Sequence, residues 1–118
     1  MLRTMLYAKI HRATVSETDL NYVGSITIDK DLLDETGILP NEKVEIYDID
    51  NGNRFATYVI EGEAGSGVIG VNGAAARLVR RGDKVIIVSF VEMHPEEIEG
   101  HKPSIVVVNN ENKVIDRK

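Results

Sequence analysis

Between Lys43 and Ile60 the chain alternates polar and apolar residues twice over, with Asn51-Gly52 set between the two runs. A period of two belongs to a pleated strand with one face buried, since successive side chains point to opposite sides. Asn-Gly favours the positive φ angles that a two-residue type I′ turn demands, so the segment predicts a hairpin. Similar short runs recur at Met5–Val15, Ser25–Ile28, Val68–Val71, Lys84–Val91 and Ile105–Val108, with a turn over Asn109–Asn112 before a last pairing at Val114-Ile115. Two short helices fit between them. Asp29 can cap one that runs through Leu32 and Leu33 and ends at Gly37, with Pro40 just beyond. A second opens after Asn72-Gly73 and covers Ala74–Val79, and a third can start at Pro95. Many short strands with two or three small helices predict a mainly β chain closed into a small barrel.

At 118 residues the chain suits one domain over residues 1–118 with a single core. The formal net charge is −5, which argues against bulk attraction to nucleic acid or an anionic membrane. No apolar run approaches the ~20 residues that span a bilayer, and the N-terminal MLRTMLYAKIHR lacks a signal-peptide h-region. Cysteine is absent, which fits a reducing compartment. A cytoplasmic protein with no nucleic-acid and no membrane partner is the expectation.

The residues with chemical consequence begin at Tyr22-Val23-Gly24-Ser25. No side chain of the twenty is an electrophile, yet a serine hydroxyl that attacks the preceding carbonyl can be converted into one. Gly24 lets the hydroxyl approach closely. The amide-to-ester shift is uphill, so backbone strain must assist it. β-Elimination and hydrolysis would then leave a pyruvoyl group heading a new chain at position 25. Against this stands the ordinary role of Gly-Ser as a turn dipeptide.

Other motifs have plainer readings. Gly65-Ser66-Gly67-Val68-Ile69-Gly70 spells G-x-G-x-x-G but runs into strand-forming residues rather than a helix, so it reads as a glycine-rich turn in a chain of hairpins. Gly65-Ser66 is a second possible cleavage bond, less well placed to be held under strain. His11, His94 and His101 lack the spacing of a helical zinc pair, and no residue set reads as a metal site. Arg81-Gly82-Asp83 reads as a turn into the next strand. Lys9 and His11 share one strand face, as do Arg54 and Tyr58, whereas Thr57 faces the other way unless a bulge re-aims it. Backbone N–H groups at Asn72-Gly73-Ala74-Ala75 suit an anionic group.

Taken in order, Lys9-Ile10-His11, Tyr22 with Gly24-Ser25, Asp34–Leu39, Asn51-Gly52 with Arg54-Phe55, Thr57-Tyr58 and Val71–Ala76 resemble the bacterial L-aspartate 1-decarboxylases over nearly the whole length. The resemblance implies a double-psi β-barrel that cleaves itself at Gly24-Ser25 into residues 1–24 and 25–118. It implies a homotetramer with active sites near subunit boundaries, and a pyruvoyl cofactor made from Ser25. The activity implied is conversion of L-aspartate to β-alanine and CO₂ for pantothenate synthesis. A carbonyl of this kind condenses with the substrate amine as a Schiff base and draws off the electron pair as CO₂ leaves.

The resemblance also assigns roles. Ser25 and Tyr58 would be catalytic, Tyr58 as proton donor. Lys9, Arg54, Thr57, Gly73, Ala74 and Ala75 would bind substrate, with Arg54 forking onto a carboxylate. Gly24, Ser25 and Thr57 would serve cleavage, and His11, Tyr22 and Asn72 would shape the site. A second likeness, of Gly24–Tyr47 to swapped-hairpin regulators of the AbrB type, would make the chain a DNA-binding dimer. It accounts for nothing between Arg54 and Ala76 and lacks a basic stripe.

Overall fold

A computed structural model describes residues 1–118. Nine strands and three short helical segments follow one another: β1 (Arg3–Thr14), β2 (Glu17–Asp19), β3 (Ser25–Asp29), α1 (Lys30–Thr36), β4 (Lys43–Asp48), β5 (Arg54–Gly62), β6 (Ile69–Asn72), a 3₁₀ turn (Gly73–Arg77), β7 (Lys84–Met93), α2 (Pro95–Ile98), β8 (Ser104–Val108) and β9 (Val114–Arg117). The strands form one coiled sheet in the order β2-β6-β3-β5-β4-β7-β1-β8-β9. It wraps around a single cluster of 19 buried apolar residues, among them Ile10, Ile26, Ile28, Ile46, Val59, Val71 and Ile87, and makes a small, mainly β barrel.

Hairpins alone do not build it. β1 pairs parallel with β8, β2 with β6, and β3 with β5. Each parallel pair needs a crossover, so the chain is richer in crossovers than its turn signals predict. The tightest consequence falls on β3, which lies between β5 and β6. Ser25, Ile26, Ile28 and Asp29 are all buried and only Thr27 is partly open. The alternation of Ser-Ile-Thr-Ile predicts a half-buried strand, but a central barrel strand covered on both faces is what forms.

Local chemistry explains the connections. Asp29 caps α1 by accepting from the Asp31 amide at 2.8 Å, and Gly37 ends the helix at φ 80, donating its N–H to the Leu33 carbonyl. The same Asp29 carboxylate also accepts from the amides of Gly65 at 3.0 Å and Gly67 at 2.7 Å. The glycine-rich string therefore closes round a side chain of this protein, and those two N–H groups are already bonded. The β4–β5 connection differs from the two-residue turn that Asn51-Gly52 predicts. Only Gly52 has positive φ, its N–H donates to the Asp48 carbonyl and the Asp48 N–H donates to the Asn53 carbonyl. The loop is five residues long, Ile49–Asn53, because the Asp48 side chain captures the amides of Asp50 and Asn51. The helix expected over Ala74–Val79 is a 3₁₀ turn instead, and β2 has no counterpart in the sequence reading. No helix is long and apolar enough to cross a membrane.

Candidate functional site

The Gly24–Ser25 bond enters β3 at the end of the barrel. Ser25 pairs with Asn72 across the antiparallel β3–β6 ladder. That register brings the Asn72 amide nitrogen to 3.0 Å from Ser25 Oγ and 3.1 Å from Thr27 Oγ1, donating to both. Ser25 is wholly buried and Asn72 nearly so. Ser25 also carries φ 153, a region that L-residues other than glycine rarely occupy and that costs of order 1–3 kcal/mol. The strain sits on the serine, not on Gly24, whose own φ is unexceptional.

Gly73 explains why the approach to this bond is so close. Its φ is 71, and a Cβ there would lie 2.6 Å from the Gly24 Cα and 3.1 Å from the Tyr22 carbonyl oxygen. Two glycines thus touch backbone to backbone at the Gly24-Ser25 junction. The 3₁₀ turn that begins at Gly73 carries Ala74, exposed, and Ala75, half-buried, past the same end of the barrel. Tyr22 is exposed and reaches the junction through its main chain.

β5 supplies the next group. β3 and β5 run parallel with Ile26 opposite Val59, so Ser25 and Tyr58 are the next residues toward the open end. Tyr58 faces outward and is exposed. Arg54 lies on the same outer face, four residues earlier, about 13 Å along the strand. Its guanidinium carbon stands 4.1 Å over the Tyr47 ring, a stack that holds the head group flat. Tyr47 in turn donates its hydroxyl to Glu45 at 2.9 Å, and burial, with Glu45 beside it, raises the phenol's pKa. The β4–β5 register runs without a shift, so no bulge brings Thr57 round. It stays half-buried on the face opposite Arg54 and Tyr58, and makes no side-chain hydrogen bond.

Lys9 and His11 sit elsewhere. β1 is separated from β3 by β5, β4 and β7, and both side chains lie on the outer face, opposite the buried Ala8 and Ile10. A register irregularity between Ile10 and Ala13, with Arg12 at φ 66, re-aims this stretch. His11 Nδ1 is buried with no hydrogen-bond partner. Burial, then the charges of Lys9 and Arg12, lower the imidazole's pKa. The structure thus gathers Tyr22, Gly24, Ser25, Tyr58, Asn72 and Gly73–Ala75 at one end of the barrel, with Arg54 further down the same strand as Tyr58, and leaves Lys9 and His11 on a distant strand of the same copy. Thr27 is the residue the sequence does not announce. Its only signal is a hydroxyl two residues from Ser25 on the same strand, and hence on the same face.

Comparison with known proteins completes the picture. The family model for aspartate decarboxylase matches residues 1–115, including the stretch from Arg54 to Ala76 that the regulator likeness leaves aside. Aspartate 1-decarboxylase of Neisseria meningitidis serogroup C is 61% identical over 116 residues, which cover 98% of this chain and 91% of that protein. The Bacillus subtilis protein of the same name is 59% identical over 114 residues, covering 97% and 90%. The Staphylococcus aureus (strain MSSA476) protein, again so named, is 58% identical over 116 residues, covering 98% and 91%.

Proposed function

Because the chain belongs to the aspartate decarboxylase family, we propose that it converts L-aspartate to β-alanine and CO₂, supplying pantothenate synthesis, after cutting itself between Gly24 and Ser25. The observation that carries this reading is Ser25: a buried serine, strained at φ 153, whose hydroxyl oxygen is held at 3.0 Å by the Asn72 amide. In the cleavage step Ser25 Oγ attacks the Gly24 carbonyl carbon and the C–N bond breaks, so that the acyl group moves from nitrogen to oxygen. Release of φ strain at residue 25 offsets part of the cost of exchanging an amide for an ester. Elimination frees the Gly24 carboxylate at the end of residues 1–24 and leaves a dehydroalanine at position 25. Water then replaces its nitrogen, which departs as ammonia.

The residues at this end of the barrel fit a pyruvoyl group at position 25, since Gly73 leaves the junction free of any Cβ and the Asn72 amide, released once Ser25 Oγ departs with the Gly24 carboxylate, remains beside it as a donor. Such a group supplies the carbonyl that binds the substrate amine and draws electrons from the breaking C–C bond. The chain's own residues do the rest. Arg54 holds the retained carboxylate with paired N–H donors. The amides of Gly73, Ala74 and Ala75 line the same end of the barrel. Tyr58 returns a proton to the former α-carbon from its outward-facing hydroxyl. Tyr22 shapes the rim, and Thr57, held on the opposite face of β5, is given its roles at cleavage and on the substrate by the family resemblance alone. Lys9 and His11 complete the site from a neighbouring copy in a homotetramer, which their distance from Ser25 within one chain supports.

Intact mass and a decarboxylation assay test the reading together. Purified protein should separate under denaturing conditions into residues 1–24 and 25–118, the longer piece lighter than its serine form by one ammonia. Ser25→Ala should remain one chain and release no CO₂ from L-aspartate. Full activity in an uncut 118-residue chain would overturn it.

A further inference from the structure

The inward row of β4 reads Val44, Ile46, Asp48, all buried, and so ends on a carboxylate where the period calls for an apolar residue. Asp48 is 2% exposed. Its Oδ1 accepts from the amides of Asp50 at 2.8 Å and Asn51 at 3.2 Å, while its Oδ2 is buried with no hydrogen-bond partner. Two further carboxylates converge on it from the loops. One oxygen each of Asp48, Asp50 and Asp83 lies within 4.8 Å of the others. Both newcomers are fixed: Asp50 Oδ2 accepts from the Lys84 amide at 2.8 Å and Asp83 Oδ2 from the Arg80 amide at 2.9 Å.

No ion pair engages them. All four ion pairs of the chain lie elsewhere, and the Lys84 ammonium is turned away onto Thr14 and Asn110. The buried Asp48 carboxyl group and its two neighbours therefore crowd together with no ion-pair partner. An unpaired buried anion is among the costliest features a fold can carry. Three carboxylates with oxygens at this spacing, one of them carrying a buried oxygen with no hydrogen-bond partner, match the all-oxygen donor set of a hard cation.

We propose that Asp48, Asp50 and Asp83 form a binding site for a divalent cation of the calcium and magnesium class, which clamps the β4–β5 loop to the turn that opens β7. The clamp joins segments already in contact. The Ile49 N–H donates to the Lys84 carbonyl, and Asn51 and Asn53 both donate side-chain N–H groups to the Leu78 carbonyl, just beyond the 3₁₀ turn. The ligands are spread from position 48 to 83, which is why no local spacing reveals them.

Thermal unfolding of EDTA-treated, full-length protein at neutral pH tests the site, with CaCl₂ or MgCl₂ added to about 5 mM, enough for a weak all-oxygen site, against KCl of matched ionic strength. One or both divalent salts should raise the midpoint by several degrees, and calorimetric titration of the metal alone should find one site per chain. Asp48→Asn and Asp83→Asn should each lose at least tenfold in cation affinity. If either variant fails to fold, Asp50→Asn, on the exposed loop, gives the same reading. No divalent-specific stabilisation would overturn the proposal, as would an equal response in the folded variants. So would a cluster that is stabilised by acidification but indifferent to both cations, since that would mark a shared proton in place of a metal.

Discussion

A Cβ at position 73 would lie 2.6 Å from the Gly24 Cα and 2.8 Å from the Gly24 nitrogen, distances at which one backbone must move. Alanine there would also have to accept φ near 71, a left-handed conformation that costs an L-residue about 1–2 kcal/mol. The fold can absorb that sum, because Gly73 lies at the barrel end and outside the cluster of core residues. The Gly24–Ser25 junction cannot absorb the displacement so easily. Gly73→Ala should therefore fold, with a thermal midpoint lowered by a few degrees, and cleave at least tenfold more slowly than wild type in a denaturing-gel time course. Cleavage at the wild-type rate would show that the glycine contact does not set the geometry of the scissile bond. Gly24 has the opposite character: a Cβ there meets nothing within 4 Å. The sequence draws attention to Gly24 because it precedes the serine, but the tight packing belongs to its partner 49 positions on, which no local reading connects to it.

Among the elements, legibility follows how local the cause is. The α1 helix was readable at both ends, since Asp29 and Gly37 act on their own neighbours. The alternating runs gave the strands to within a residue or two, for the same reason. What they could not give was the partner of each strand: β3 reads as half-buried until β5 and β6 are known to flank it. The β4–β5 loop departs from the two-residue turn that Asn51-Gly52 predicts because Asp48 bonds two amides that a type I′ turn would leave elsewhere. Asn112 shows the limit most clearly. The sequence marks it as a turn residue, and it does sit at φ 61. Yet its side chain accepts from the Thr14 N–H at 2.7 Å and donates to the carbonyls of Thr14 at 2.9 Å and Gly67 at 2.7 Å. It fastens the β8–β9 turn to the end of β1 and to the loop that closes round Asp29. Asn112→Ala would leave three buried or half-buried main-chain groups unsatisfied, at about 1 kcal/mol each. Equilibrium unfolding in urea should show a loss of about 2–4 kcal/mol with an unchanged slope, and a loss below about 0.5 kcal/mol, typical of a surface change, would mean that water replaces the clasp.

At the scale of the whole molecule, the sequence yields a roster of site residues, but the single barrel does not assemble all of them. Ser25, Tyr58, Asn72 and Gly73 meet because β3 lies between β5 and β6. Lys9 and His11 stand on the outer face of β1, with three strands between it and β3. A lysine fixed there can serve the same substrate only if another copy turns its β1 toward this one's β3 and β5. That arrangement has a consequence that mutation of one chain cannot imitate. Lys9→Ala and Tyr58→Phe should each process normally and each lose most decarboxylase activity as a pure protein. When the two variants are co-expressed and mix at random, a site that draws Tyr58 from one copy and Lys9 from its neighbour finds both intact in about one case in four. The mixed assembly should recover roughly a quarter of wild-type kcat, whereas the same two proteins purified apart and combined just before assay should recover none until subunits exchange. If every site were built within one chain, each would still lack one of the two residues, and the mixture would stay at the level of the parents.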